Sequence, residues 1–147
     1  MIHGWPQPLA GDIVWCHFPE NLGVKPADKP RPALILEVFG EHVTPYTVIV
    51  AYGTSQKVTR LYAGEFAISE ADHAAFRTAG LSYPTKFNLK RRVQLPYVST
   101  YFDIPPGAPF GQTPKLGTLH ASLVRRAHAA WLAGKVVAKL FARHWRK

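Results

Sequence analysis

Lys29-Pro30-Arg31-Pro32-Ala33-Leu34-Ile35-Leu36-Glu37-Val38-Phe39 decides the fold class. Pro30 and Pro32 bar regular helix, and each pushes the residue before it toward extended geometry. The nearly unbroken apolar run that follows predicts a strand in the centre of a sheet, buried on both faces. Arg31 therefore stands where a stiff loop enters a rigid strand. Upstream, Ile13-Val14-Trp15-Cys16-His17-Phe18 is rich in β-formers and is bounded by Gly11-Asp12 and Pro19, which predicts a first strand. Downstream, Gly40-Glu41-His42 predicts a turn. Thr47-Val48-Ile49-Val50-Ala51-Tyr52 predicts a third buried strand that ends at Gly53 and opens into Thr54-Ser55-Gln56. The connections are too short for parallel crossovers, so these strands form an antiparallel meander.

Further along, the pattern changes. Ser69 is a natural N-cap for a short helix through Phe76, with Asp72 placed for a capping box. Lys86–Leu89 and Arg92–Leu95 suggest one or two more strands. Pro105–Pro114 has the proline and glycine content of a loop, and Leu119 to about Trp145 has a helical pattern. There Val137, Leu140, Phe141 and His144 share one face, with Trp145 at its margin, and Lys135, Lys139, Arg143 and Arg146 lie opposite. The fold class is mainly β with helices: a small antiparallel barrel, a short helix and a C-terminal amphipathic helix. Residues 1–147 make a single domain, with residues 1–103 as barrel core and residues 104–147 as proline-rich loop plus basic helix.

Charge placement points to a partner. Residues 1–103 hold ten Lys/Arg against nine Asp/Glu, whereas residues 104–147 hold eight Lys/Arg and no acid. Such asymmetry suits an anionic partner, whether nucleic acid, an acidic protein segment or a membrane surface; a solvated basic tail is the plainer alternative. The lone cysteine, Cys16, excludes an internal disulfide and a Cys-based zinc site. With no signal peptide and no apolar run of about 18 residues, the expectation is a cytoplasmic protein with no membrane span. The histidines at positions 3, 42, 73, 120, 128 and 144 show no metal-ligand spacing, so no metal or cofactor is expected.

Several of these segments together resemble the MazF/PemK family of toxins. They are Gly11-Asp12-Ile13-Val14-Trp15 with Phe18-Pro19, the Arg31-Pro32 pair entering its strand, and Thr47 to Ser55. Gly80-Leu81 with Thr85-Lys86-Phe87-Asn88-Leu89 completes the likeness, which covers about residues 8–95. The resemblance implies an SH3-like barrel, usually a homodimer, that cuts single-stranded RNA without a metal, leaves a 2′,3′-cyclic phosphate, and is neutralised by an acidic antitoxin. It maps the motif arginine to Arg31 and the strand-ending hydroxyl to Thr54, with Ser55 as the near alternative. The loop before Arg31 is proline-rich here rather than glycine-rich, which implies a differently shaped RNA groove.

The residue types fit such chemistry. RNA carries its own nucleophile, the 2′-hydroxyl, so a protein must align it, move protons and stabilise a charged phosphorane. The planar fork of Arg31 can donate two hydrogen bonds to phosphate oxygens. Thr54 or Ser55 can bond the phosphate or the 2′-oxygen. His17 is a candidate general base, although a half-buried strand histidine is more often structural. Lys25, Lys29, Lys57, Arg60, Lys86, Arg91 and Arg92 are candidate RNA contacts. Trp15, Tyr52, Phe87, Tyr97 and Tyr101 can stack on bases, with Trp15 and Phe87 favoured as core. Two other readings compete: a catalytically silent barrel that binds nucleic acid or an acidic protein as a regulator, and a toxin of the same barrel aimed at a protein such as a topoisomerase.

Overall fold

A computed structural model describes residues 4–19, 25–40 and 45–145, with side chains described as far as Lys135. The expected turn residues Glu41 and His42, and the side chains of the apolar stripe Val137–Trp145, lie outside the described residues. Six strands build one antiparallel sheet: β1 (Asp12–Cys16), β2 (Arg31–Phe39), β3 (Thr47–Thr54), β4 (Glu65–Ile68), β5 (Thr85–Pro96) and β6 (Lys115–Thr118). Their order is β4-β5-β3-β2-β1-β6, and the sheet curls into a half-barrel. Helix α1 (Ala74–Thr78) lies between β4 and β5, and helix α2 (Val124–Trp145) follows β6.

The centre of β2 is buried on both faces because alternate side chains enter different cores. Leu34 joins Ile13, Ala51, Phe87 and Leu89 in a core covered by Ala75 of α1, by Leu123 of the 3-10 turn Ala121–Leu123 and by Ala130 of α2. Ala33 and Ile35 join Val14, Val48, Val50 and Phe102 in a second core. Register slips after Ile35, where Glu37 rather than Leu36 pairs with Ile49, and beyond that bulge Glu37 and Phe39 reach solvent. The expected strands at Lys86–Leu89 and Arg92–Leu95 are one strand, β5. Its pairing jumps from Tyr52↔Asn88 to Ala51↔Arg92, so Leu89, Lys90 and Arg91 stand between the two registers.

The helix expected from Ser69 begins as a 3-10 turn, Glu70–Asp72, before α1. Ser69 caps it, and the Asp72 side chain accepts from the Ser69 amide at 3.0 Å. Strands β4 and β6 have no counterpart in the sequence reading. Each is four residues long, too short for a periodicity to declare itself.

Two glycines bring β6 to the end of α1. A Cβ on Gly80, whose φ is +72°, would lie 2.0 Å from the Leu116 carbonyl oxygen, and one on Gly117 would lie 2.3 Å from the carbonyl carbon of Ala79. Backbone therefore packs directly on backbone, an approach open only to glycine. Arg126 ties α2 to the same region. Its guanidinium donates to both Asp72 carboxylate oxygens and to the Ala67 carbonyl, each at 2.9 Å.

Candidate functional site

The end of β2 that carries Arg31 meets the end of β3. Ala33 pairs with Tyr52, so the register continued by two residues sets Arg31 beside Thr54. Between them, a Cβ on Gly53 would lie 2.2 Å from the Pro32 carbonyl oxygen, so the two strands come closest where the motif arginine and the hydroxyls emerge. Arg31, Thr54 and Ser55 line one cleft of about 520 Å³. Its other walls include Trp15 of β1, Tyr83 of the α1–β5 turn and Leu116 of β6. Among the described residues that line it, Arg31 is the one that carries a charge.

Thr54 is oriented. Its Oγ1 accepts the Gln56 amide at 3.1 Å, which leaves its own O–H able to donate. Ser55 is exposed beside it. His17 follows β1 directly, next to Cys16, which pairs with Arg31, but it is not among the residues lining the cleft. Its Nδ1 is 2.8 Å from the Ala27 carbonyl oxygen, which can only accept, so that nitrogen carries a proton. Its Nε2 is 3.5 Å from an Asp103 carboxylate oxygen. In this position His17 fastens the loop that leads through Lys29 and Pro30 to Arg31.

The other cations divide. Lys25, Lys29, Lys57 and Arg60 are exposed on loops. Arg91 sits 4.0 Å above the Tyr52 ring, and Arg92 sits 4.4 Å from the Trp131 ring, where aromatic faces hold their guanidinium groups. Lys86 is buried: its ammonium lies 3.0 Å from Glu65 Oε1 and donates to the Arg60 carbonyl at 2.9 Å, which ties β4 and the preceding loop to β5. Of the aromatic candidates, Tyr97 and Phe87 are core, and burial raises the Tyr97 phenol with some help from Asp12. Burial likewise raises the Cys16 thiol, which keeps it protonated and inert.

The sequence reading passed over Tyr83 and Leu116, which line the cleft together with Pro106, Gly107 and Pro109 of the proline-rich loop. An exposed aromatic before a proline was a faint signal for Tyr83. A larger hollow of about 820 Å³ lies between α2 and the sheet, with Leu36, Leu119, Ala127 and Trp131 in its walls, but it includes none of Arg31, Thr54 or Ser55. Among the described residues no group of three or more His, Cys, Asp or Glu side chains is placed to hold a metal ion.

Residues 9–99 match the model of the PemK-like, MazF-like toxins of type II toxin–antitoxin systems. The chain belongs to this toxin family. The match takes in β1 to β5, and hence Arg31, Thr54 and Ser55, while β6 and α2 lie beyond it. No curated protein matches the chain. No helix of this PemK/MazF-like toxin, among its described residues, is long and apolar enough to cross a membrane.

Proposed function

We propose that this chain is a metal-independent endoribonuclease toxin that cuts single-stranded RNA at the cleft holding Arg31, Thr54 and Ser55. The observation that carries the reading is their gathering in one open cleft where, among the described residues, Arg31 is the charged residue of the lining, within a chain of the PemK/MazF-like family. In the reaction the RNA 2′-oxygen attacks the adjacent phosphorus, the 5′-oxygen of the next nucleotide departs, and a 2′,3′-cyclic phosphate remains. Arg31 donates two hydrogen bonds to the phosphorane oxygens, whose charge peaks in the transition state. The Thr54 O–H donates to a phosphate oxygen, with Ser55 beside it.

His17 serves by position in this reading. Both of its ring nitrogens face protein partners, so it sets the approach to Arg31 from one remove. Lys25, Lys29, Lys57 and Arg60 steer the RNA backbone, and Arg91 adds charge above Tyr52. As a toxin the protein acts as a homodimer in the cytoplasm, and an acidic antitoxin segment neutralises it by covering this basic surface.

The test is incubation of the purified protein with a long RNA in excess EDTA. Defined fragments ending in 2′,3′-cyclic phosphate are expected, with Arg31→Ala slowed by about 100-fold or more, the scale of losing one preorganised donor to a developing oxyanion. A well-folded wild type that leaves many RNAs intact overturns the reading.

A further inference from the structure

One wall of the cleft comes from chain that the family match does not include. Asp103 and Pro114 bracket a proline-rich loop, and both ends are tied to one residue of β1. The Asp103 amide donates to the Trp15 carbonyl at 3.1 Å, and the Trp15 amide donates to the Pro114 carbonyl at 2.9 Å. Between these ties the loop is built from successive turns: the Ala108 amide donates to Pro105 at 2.9 Å and the Gly111 amide to Ala108 at 3.0 Å. The Lys115 ammonium lies 4.7 Å from the Phe110 ring and 3.4 Å from Asp12, which pins the loop back onto β1 and β6. Pro106, Gly107 and Pro109 of this loop line the cleft.

Tyr83 lines the same cleft from the α1–β5 turn and is 70% exposed. An aromatic ring so exposed gains little from the core, yet its backbone is fixed. The buried Thr85 hydroxyl donates to the Tyr83 carbonyl at 2.9 Å, and Pro84 restricts the residue before it to extended geometry. The Gly80–Leu116 backbone contact then holds this turn against β6. The cleft thus joins one cation, several hydroxyls and an exposed aromatic ring on a fixed backbone, and its volume of about 520 Å³ falls within the range of small-molecule pockets.

We infer that Tyr83 and the Pro106–Pro109 wall form a pocket for one unpaired nucleobase next to the phosphate held at Arg31, and that this pocket sets which base the protein prefers. The inference deepens the endoribonuclease reading and rests on it for the phosphate at Arg31. A base stacks on Tyr83, whose ring accepts any π-face. The rigid proline wall and the Ser82 and Thr85 region then sort bases by shape and edge.

The experiment uses labelled 2′-deoxy hexanucleotides of each single base, which lack the nucleophile and report binding without cleavage. Fluorescence anisotropy should show the full-length protein preferring one base. Tyr83→Ala should bind that hexanucleotide about tenfold more weakly, in the range measured for losing one base–aromatic stack, while Tyr83→Phe keeps wild-type affinity. Pro106→Ala combined with Pro109→Ala should alter the ranking of the four bases. Tyr83→Ala binding all four as the wild type does, or a wild type that binds none, overturns the inference. Failure of the cleavage assay with these binding effects intact would remove the enzyme and leave the pocket. Cleavage at unchanged sites by Tyr83→Ala would remove the pocket and leave the enzyme.

Discussion

Gly53 decides how closely Arg31 and Thr54 approach, because any side chain there meets the Pro32 carbonyl and the Phe87 ring. Gly53→Ala should therefore destabilise by about 3 kcal/mol, the upper range for overpacking, because the obstacle is backbone that cannot rotate away. Urea unfolding measures it, and a change below about 1 kcal/mol would show that the strands part without strain. Lys86 yields a second prediction. It and Glu65 are both nearly buried, so Glu65→Gln strands an ammonium without its counter-charge and should cost about 3 kcal/mol or more. If Glu65→Gln instead unfolds at the wild-type urea midpoint, water must reach that ammonium. At this scale the sequence shows its limits. Lys86 looks like any loop cation until Glu65 is found opposite it, and Glu65 belongs to a strand too short to declare itself.

Between elements, the Asp72–Arg126 pair fastens α2 to the turn before α1. The hydrogen bonds from Arg126 hold the Asp72 carboxyl below the ordinary carboxylate range, the Ser69 amide assists, and the same pairing raises the Arg126 guanidinium. A depressed folded value means that the stability is fully present above the unfolded carboxylate pKa of about 3.9 and is lost as pH falls through the folded value. The difference in stability between wild type and Asp72→Asn should thus be constant near neutrality and shrink below about pH 4. Solvent reaches Arg126, so its plateau should be no more than about 1 kcal/mol. Urea titrations at pH 7 and pH 3 check this, and an equal gap at both would assign the effect to the cap rather than the ion pair. Legibility follows the same line. The runs at β1, β2 and β3 are long and apolar enough to be seen directly, and the Ser69 and Asp72 spacing reveals its cap. The union of α1 with β6 is invisible because Gly80 and Gly117 act by lacking a side chain, and no pattern of residue types marks two glycines as partners across 37 positions. Tyr83 escaped notice for that reason, since the Gly80–Leu116 contact holds its turn against β6.

Over the whole molecule, the charge and the cleft are separate features. Arg31 is the only charged residue lining the cleft among the described residues, while the balance of +8 lies in residues 104–147. Ending the chain after Lys135 removes Lys139, Arg143, Arg146 and Lys147 but keeps Leu123, Ala127, Ala130 and Trp131, which pack on the sheet. If those cations touch RNA phosphates, the truncated protein should bind RNA more weakly. Its plot of log affinity against log salt should flatten by about 0.7 for each phosphate no longer neutralised. An identical slope would make the segment a solvated face. The loop from Asp103 to Pro114 is built apart from the strands it borders. Because both of its ends are tied to the backbone of Trp15, substitutions in its interior leave those two hydrogen bonds in place. The ten residues between those ties are therefore the stretch of cleft wall that can be replaced while β1 keeps both of its backbone bonds.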